Sequence, residues 1–176
     1  VALGASMGLP FVRVAPNRLL SGDPIFLGDV LQRQGSPLVV ALFLAVFTLL
    51  VFAIGQPQRR FTQALVSVAM AASLAGLWLL ASHVSSSVSP VDRPLQRTAL
   101  GAGFWTLAAL TWLTALDAVA RLNLATLPRL IVHIAGCLPL LLSLSEGQNL
   151  SLAKEYANHS DVVGPAVVRH LQIVLF

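Results

Sequence analysis

Charge is what this sequence has least of. Charged residues make up 10% of its 176 residues, against 56% hydrophobic ones and a mean hydropathy of +0.81. A water-soluble domain carries about 25% charged residues, so this chain has too little polar surface to be one. The net charge is +4 at pH 7, but the arginines are scattered and no basic patch is interleaved with aromatics, which argues against nucleic acid as a partner. Cysteine is nearly missing as well: with Cys137 alone, no internal disulfide framework exists. There is no GxxxxGK[ST] loop to cradle a nucleotide phosphate, and neither HExxH nor CxxC occurs. The chain is therefore not read as an enzyme, and no catalytic, cofactor-binding or metal-ligating set is assigned to it.

What is present is a series of long uncharged intervals. No charged residue lies between Arg33 and Arg59, Arg60 and Asp92, Arg97 and Asp117, or Arg129 and Glu146. A hydrocarbon core of about 30 Å needs roughly 20 apolar residues in helix. The segments Pro37–Gly55, Phe61–Ser82, Ala99–Ala120 and Leu127–Ser145 meet that length. Lipid offers the backbone no hydrogen-bond partners, so spanning segments of this kind must be helices. The expected fold is all-α: a polytopic transmembrane helical bundle of four full membrane helices, with partial helices at both ends. Val1–Val12 is apolar but too short to cross and lacks the charged start of a secretory signal. It reads as part of a first membrane helix ended near Pro10 and Arg13. Val162–Phe176 reads as the entry to a further helix. The division expected is a partial helix over 1–12, an external loop over 13–36, the bundle over 37–145, a second external loop over 146–169 and the start of another helix over 170–176.

Loop charge sets the orientation, because Lys and Arg in short loops stay on the cytoplasmic side. Arg59 and Arg60 end the tight "GQPQRR" turn, and Arg121 and Arg129 flank "LNLATLP". These short turns are placed in the cytoplasm. The longer passages Arg13–Arg33, His83–Arg97 and Glu146–Arg169, which mix both signs, are placed outside.

Few residues are candidates for chemistry. Asp117 and Arg121 stand four apart at the end of the third segment, the spacing of an ion pair on one helical face. An intramembrane carboxylate is capable of serving as a proton or cation site, but this position favours a neutralised pair at the membrane interface. His133 and Cys137 are also four apart. Zinc takes three or four protein ligands and no second His/Cys pair accompanies them, so helix packing is the better account. Pro139 should kink its helix. Ala72 and Gly76, with Ala69 and Ser73 on the neighbouring register, have the small-xxx-small spacing that lets membrane helices approach closely. Trp78 and Trp105 read as anchors near helix ends, and Trp112 as facing protein or lipid deeper in. The Asn149 and Asn158 glycosylation patterns are too short to carry weight.

Four stretches carry a resemblance: "VAPNRLLSGD" (Val14–Asp23), "RTALGAGFW" (Arg97–Trp105), "LDAVARL" (Leu116–Leu122) and "SLAKEYANHSDVVGPAVVRHLQIVLF" (Ser151–Phe176). In that order they resemble the bacterial ABC-transporter permeases for glycine betaine and related osmoprotectants, in the version with an extended N-terminal membrane region. The block Lys154–Asn158 followed by "HLQIVLF" is the most specific part. It is similar to the segment that opens the first helix of the permease core. The resemblance implies a multi-pass inner-membrane subunit without ATPase activity of its own. It would work with a cytoplasmic ABC ATPase, a periplasmic substrate-binding protein and a second permease copy in the lipid bilayer. The cargo implied is a quaternary amine such as glycine betaine or choline. The EAA signature that docks the ATPase in such permeases does not occur in these 176 residues, so this region is expected to be accessory to the core. The rival expectations are a self-contained structural or sensory membrane protein, and a membrane enzyme for which Asp117, Arg121 and His133 are the available polar groups.

Overall fold

The computed structural model describes residues 8–17, 20–34, 51, 55, 59–88 and 96–175. The expected all-α bundle is overturned there. A small antiparallel sheet accompanies the helices, and among the described residues two helices, not four, are long and apolar enough to cross a membrane.

The sheet is built from β1 (Pro10–Ala15), β2 (Asp23–Phe26) and β3 (Arg97–Leu100) in the order β2-β1-β3. β1 is the middle strand: Val12 faces Ile25 on one side and Leu100 on the other, and Val14 faces Asp23 and Thr98. Pro10–Val12, expected as the end of a membrane helix, therefore belongs to a strand. Phe11 and Val12 are wholly buried, and β-branched and aromatic residues suit a pleated, half-covered surface. Pro10 opens its strand and Pro24 lies in an edge strand, positions where a missing N–H costs no ladder bond. Gly22 has φ +74°, and a Cβ there would stand 2.7 Å from the Val14 carbonyl carbon, so both backbone conformation and space call for glycine.

The helices are α1 (Leu27–Gln34), α2 (Arg60–Val88), α3 (Ala102–Arg121), α4 (Thr126–Ser143), α5 (Ser151–Asn158) and α6 (Ser160–Leu175), with a 3-10 turn at Leu144–Gly147. α2 is the axis of the molecule. It is apolar on all sides, as a helix surrounded by protein and lipid should be. Ser67, Ser73 and Ser82 do not disturb this, because they donate to the carbonyls of Gln63, Ala69 and Trp78 at 2.9, 2.7 and 2.8 Å. Past its end, Gln96 Nε2 donates to the Val88 carbonyl at 3.0 Å, serving one of the acceptors a helix terminus leaves over.

α3 runs back along α2. It begins at Gly101, whose N–H donates to Phe11 O at 2.9 Å, and it stops at Asn123, in the left-handed region at φ 51°. Residues Ala99 and Leu100 of the expected third span lie in β3. α4 is shorter than the expected fourth span: it holds Pro128 in its first turn, where no N–H is needed, and Pro139 inside, and the 3-10 turn takes over at Leu144. The first expected span, Pro37–Gly55, lies almost entirely outside the described residues, as do residues 1–7. α6 begins at Ser160, ahead of the helix start expected at 170.

The main core sits where the sheet meets the second half of α2. Phe11, Val12, Leu27, Val30, Leu77, Trp78, Val84, Phe104 and Leu150 pack together there, with the Phe11 and Phe104 rings 5.8 Å apart. A second, smaller cluster of Val66, Met70 and Ala118, with Ala69 and Ala115 beside it, joins α2 to α3 at the other end. Small side chains at that crossing let the helices come close. Trp78 is 7% exposed, so it is a core residue rather than a lipid anchor, whereas Trp105 is 54% exposed.

Candidate functional site

The three long helices alternate in direction, and this gives the molecule two chemically different ends. Val66 near the start of α2 packs on Ala118 near the end of α3, and a Cβ added at Gly136 of α4 would lie 4.0 Å from the Cβ of Ala71. The start of α2, the end of α3 and the start of α4 therefore share one end. Arg59, Arg60, Arg121 and Arg129 all lie there, and all are exposed. The carboxylate among them is Asp117, which accepts from Arg121 Nε at 2.7 Å. Both side chains are well exposed, at 47% and 60%, so this pair sits at a surface and encloses no site. Arg129 Nη2 donates to the Leu124 carbonyl at 3.0 Å, which ties down the turn between α3 and α4.

The opposite end carries the sheet and the junction with α5. Thr98 of β3 makes a parallel bridge with Leu150, a residue with no exposed surface. The side chains of Arg97 and Glu155 form an ion pair across 58 residues of chain, with 22% and 33% of the side chains exposed. Glu155 also lies 3.7 Å from His159 Nε2 at the end of α5. Gly147 presses on the Trp78 indole so closely that a Cβ would enter the ring. The passage from Gly147 to Glu155 is thus fastened to the domain at three points: an aromatic face, a strand edge and a charge. Beside it is an open cleft of about 740 Å³ between α2 and the 3-10 turn, lined by Ser82, His83, Ser86, Glu146, Gln148 and Asn149 among others. It offers hydroxyls, amides, one imidazole and one carboxylate.

His133 and Cys137 are both half-buried on α4, and among the described residues no group of three His, Cys, Asp or Glu is placed to hold a metal. Asp117, Arg121 and His133 do not converge on a cavity. The Arg97–Glu155 contact has no local sequence signal, because its partners lie on different elements far apart in the chain.

α4 shows lipid-like exposure outwards: Leu127, Leu130, Ile131, Ile134, Leu138 and Leu141 follow helical spacing along one uncovered face. α2 and α3 have hydropathies of 2.1 and 1.3 over their spans.

Comparison with curated proteins gives no match, and comparison with solved structures gives none either. A model of one family matches residues 1–153, the N-terminal domain of the ABC transporter permease YehY. ABC permeases are membrane components of transporters in which ATP hydrolysis is carried out by a partner ATPase, so the chain is a transport component and not an enzyme. The match covers the sheet, the long helices and the fastened passage as far as Ala153, and by it the chain belongs to the family of N-terminal domains of the ABC transporter permease YehY.

Proposed function

We propose that this domain is the accessory N-terminal region of an inner-membrane permease that imports osmoprotectants such as glycine betaine or choline. The arginine end faces the cytoplasm, in keeping with the retention of arginine-rich short turns there. The sheet end faces outward. A cytoplasmic ATPase, a periplasmic substrate-binding protein and a second permease copy complete the transporter.

The observation that carries this reading is the fastening of Gly147–Glu155. The stretch that resembles the lead into the permease core is clamped to the outer face of the domain by the Thr98–Leu150 bridge and the Arg97–Glu155 pair. A binding protein that docks on that face and shifts the sheet would pull on α5, and through it on the helix that follows. Asp117 and Arg121 act in this reading as an interfacial ion pair, with no part in carrying cargo.

The test is made on the whole permease, reconstituted in liposomes with its ATPase and binding protein. Uptake of labelled glycine betaine and stimulation of ATP hydrolysis by the loaded binding protein are measured for the parent and for Arg97→Gln and Glu155→Gln. The expected result is betaine uptake by the parent and a several-fold loss of stimulation in both variants, with basal hydrolysis kept. Unchanged stimulation would remove the coupling role, and no uptake of any quaternary amine would remove the cargo.

A further inference from the structure

The arginine end has a feature that transport does not explain. Along the sequence, Asp117 is the sole carboxylate between Asp92 and Glu146, and none lies between Asp29 and Asp92. The fold brings the arginines at the start of α2, the end of α3 and the start of α4 to one end of the molecule. Arg60 begins α2, Arg121 ends α3 and Arg129 lies in the first turn of α4. With a rise of about 1.5 Å per residue, Arg60 lies roughly 9 Å beyond Val66, and Arg121 roughly 4.5 Å beyond Ala118, its neighbour in the small cluster. Both therefore fall within about one helical turn of the same level.

Arg60 and Arg129 also border apolar surface. Phe61, next to Arg60, is 75% exposed, and Leu127 and Leu130, on either side of Arg129, are 67% and 54% exposed. An acidic protein would need the guanidinium groups only. A surface that presents exposed aromatic and aliphatic groups next to several guanidiniums fits a partner that carries acyl chains beside phosphate. We propose that Arg59, Arg60 and Arg129, with Arg121 beside them, form a docking surface for the headgroups of anionic phospholipids. Asp117 neutralises Arg121 in part and leaves three guanidiniums to the lipid phosphates, which planar forked donors grip well. The inference rests on the proposed orientation only for which leaflet supplies the lipid.

The full chain is purified in mild detergent and offered phosphatidylglycerol and phosphatidylcholine in equal amounts, and retained lipid is counted by native mass spectrometry. Preferential retention of phosphatidylglycerol is expected, falling in high salt because exposed charges are screened. Each guanidinium near a charged membrane surface is worth on the order of a fivefold change in binding. Arg59→Gln/Arg60→Gln/Arg129→Gln should therefore lose at least about tenfold in preference while still retaining phosphatidylcholine, which reports an intact fold. Equal retention of the two lipids by the parent would overturn the proposal. So would a triple variant that keeps the preference, or inorganic phosphate competing as well as the lipid. Because no transport is measured, loss of the osmoprotectant reading would leave a positive lipid result standing.

Discussion

Removing the charge from Glu155 should loosen one short helix and leave the rest of the domain intact. The Arg97–Glu155 pair, with 22% and 33% of its side chains exposed, lies between two regimes. Fully exposed pairs contribute about 0.2–1 kcal/mol, and breaking a fully buried pair costs about 3–5 kcal/mol. After discounting for the water that still screens this pair, Arg97→Gln and Glu155→Gln should each cost about 1.5 kcal/mol, of which about 1 kcal/mol is the coupling between them. At about 1.4 kcal/mol per factor of ten, that coupling is roughly a fivefold change in the population of the opened joint. The effect is local because α5 has no buried side chain of its own and is held through Leu150, β3 and this charge. Amide hydrogen exchange on the full chain in detergent reads it directly, since local opening sets exchange within a cooperative unit. Peptides covering 151–158 should exchange about tenfold faster in either single variant, while those covering the last third of α2 stay protected. The double variant should be clearly slower than the product of the singles. Fully additive effects, or α5 exchange equal to the parent's, would refute the pair as a fastening.

Other outcomes follow from the same packing. Gly147→Ala should cost about 2 kcal/mol, because its methyl group meets a Trp78 ring that has no room to move; thermal unfolding in detergent should show less than half that cost in a Trp78→Phe background, where the atoms in the way are gone. Thr98→Val should raise stability by about 1 kcal/mol in the same assay, since the Thr98 hydroxyl is buried with no hydrogen-bond partner among the described residues, and a loss instead would mean that the hydroxyl is bonded. Gly101→Ala should be severe, with little folded protein by size-exclusion chromatography, as its Cβ would run into the Pro10 carbonyl, a backbone group that the sheet holds fixed. Asp117→Asn should leave the melting temperature unchanged, because the pair with Arg121 is exposed and screened.

The long helices were legible because membrane-length apolar runs are written locally: the segment Phe61–Ser82 lies within α2, and Ala102–Ala120 within α3. The Asp117–Arg121 contact was legible for the same reason, being four residues apart on one helix. The sheet was not. "PFVRVA", "DPIF" and "RTAL" are too short to show a period, and β1 meets β3 only across more than 80 residues. Such pairing is decided by tertiary burial, which here comes from Phe11 and Val12 entering the core beside Trp78. A run such as Val1–Val12, apolar and broken by proline, has the composition of a truncated helix as much as that of a strand. The Arg97–Glu155 fastening depends on that hidden sheet, so it was out of reach for the same reason.

The length of α2 sets a height. At about 1.5 Å per residue its 29 residues make a rod of about 43 Å, against a hydrocarbon layer of about 30 Å. To lie wholly within that layer it would have to lean about 46°, past the roughly 40° limit seen for membrane helices. If α2 crosses the bilayer, it stands as a mast whose head, with the sheet bound around Leu77–Val84, is carried at or above the lipid surface. Membrane thickness becomes a mechanical variable for this domain: a thinner bilayer lifts the masthead clear, and a thicker one draws it down among the headgroups.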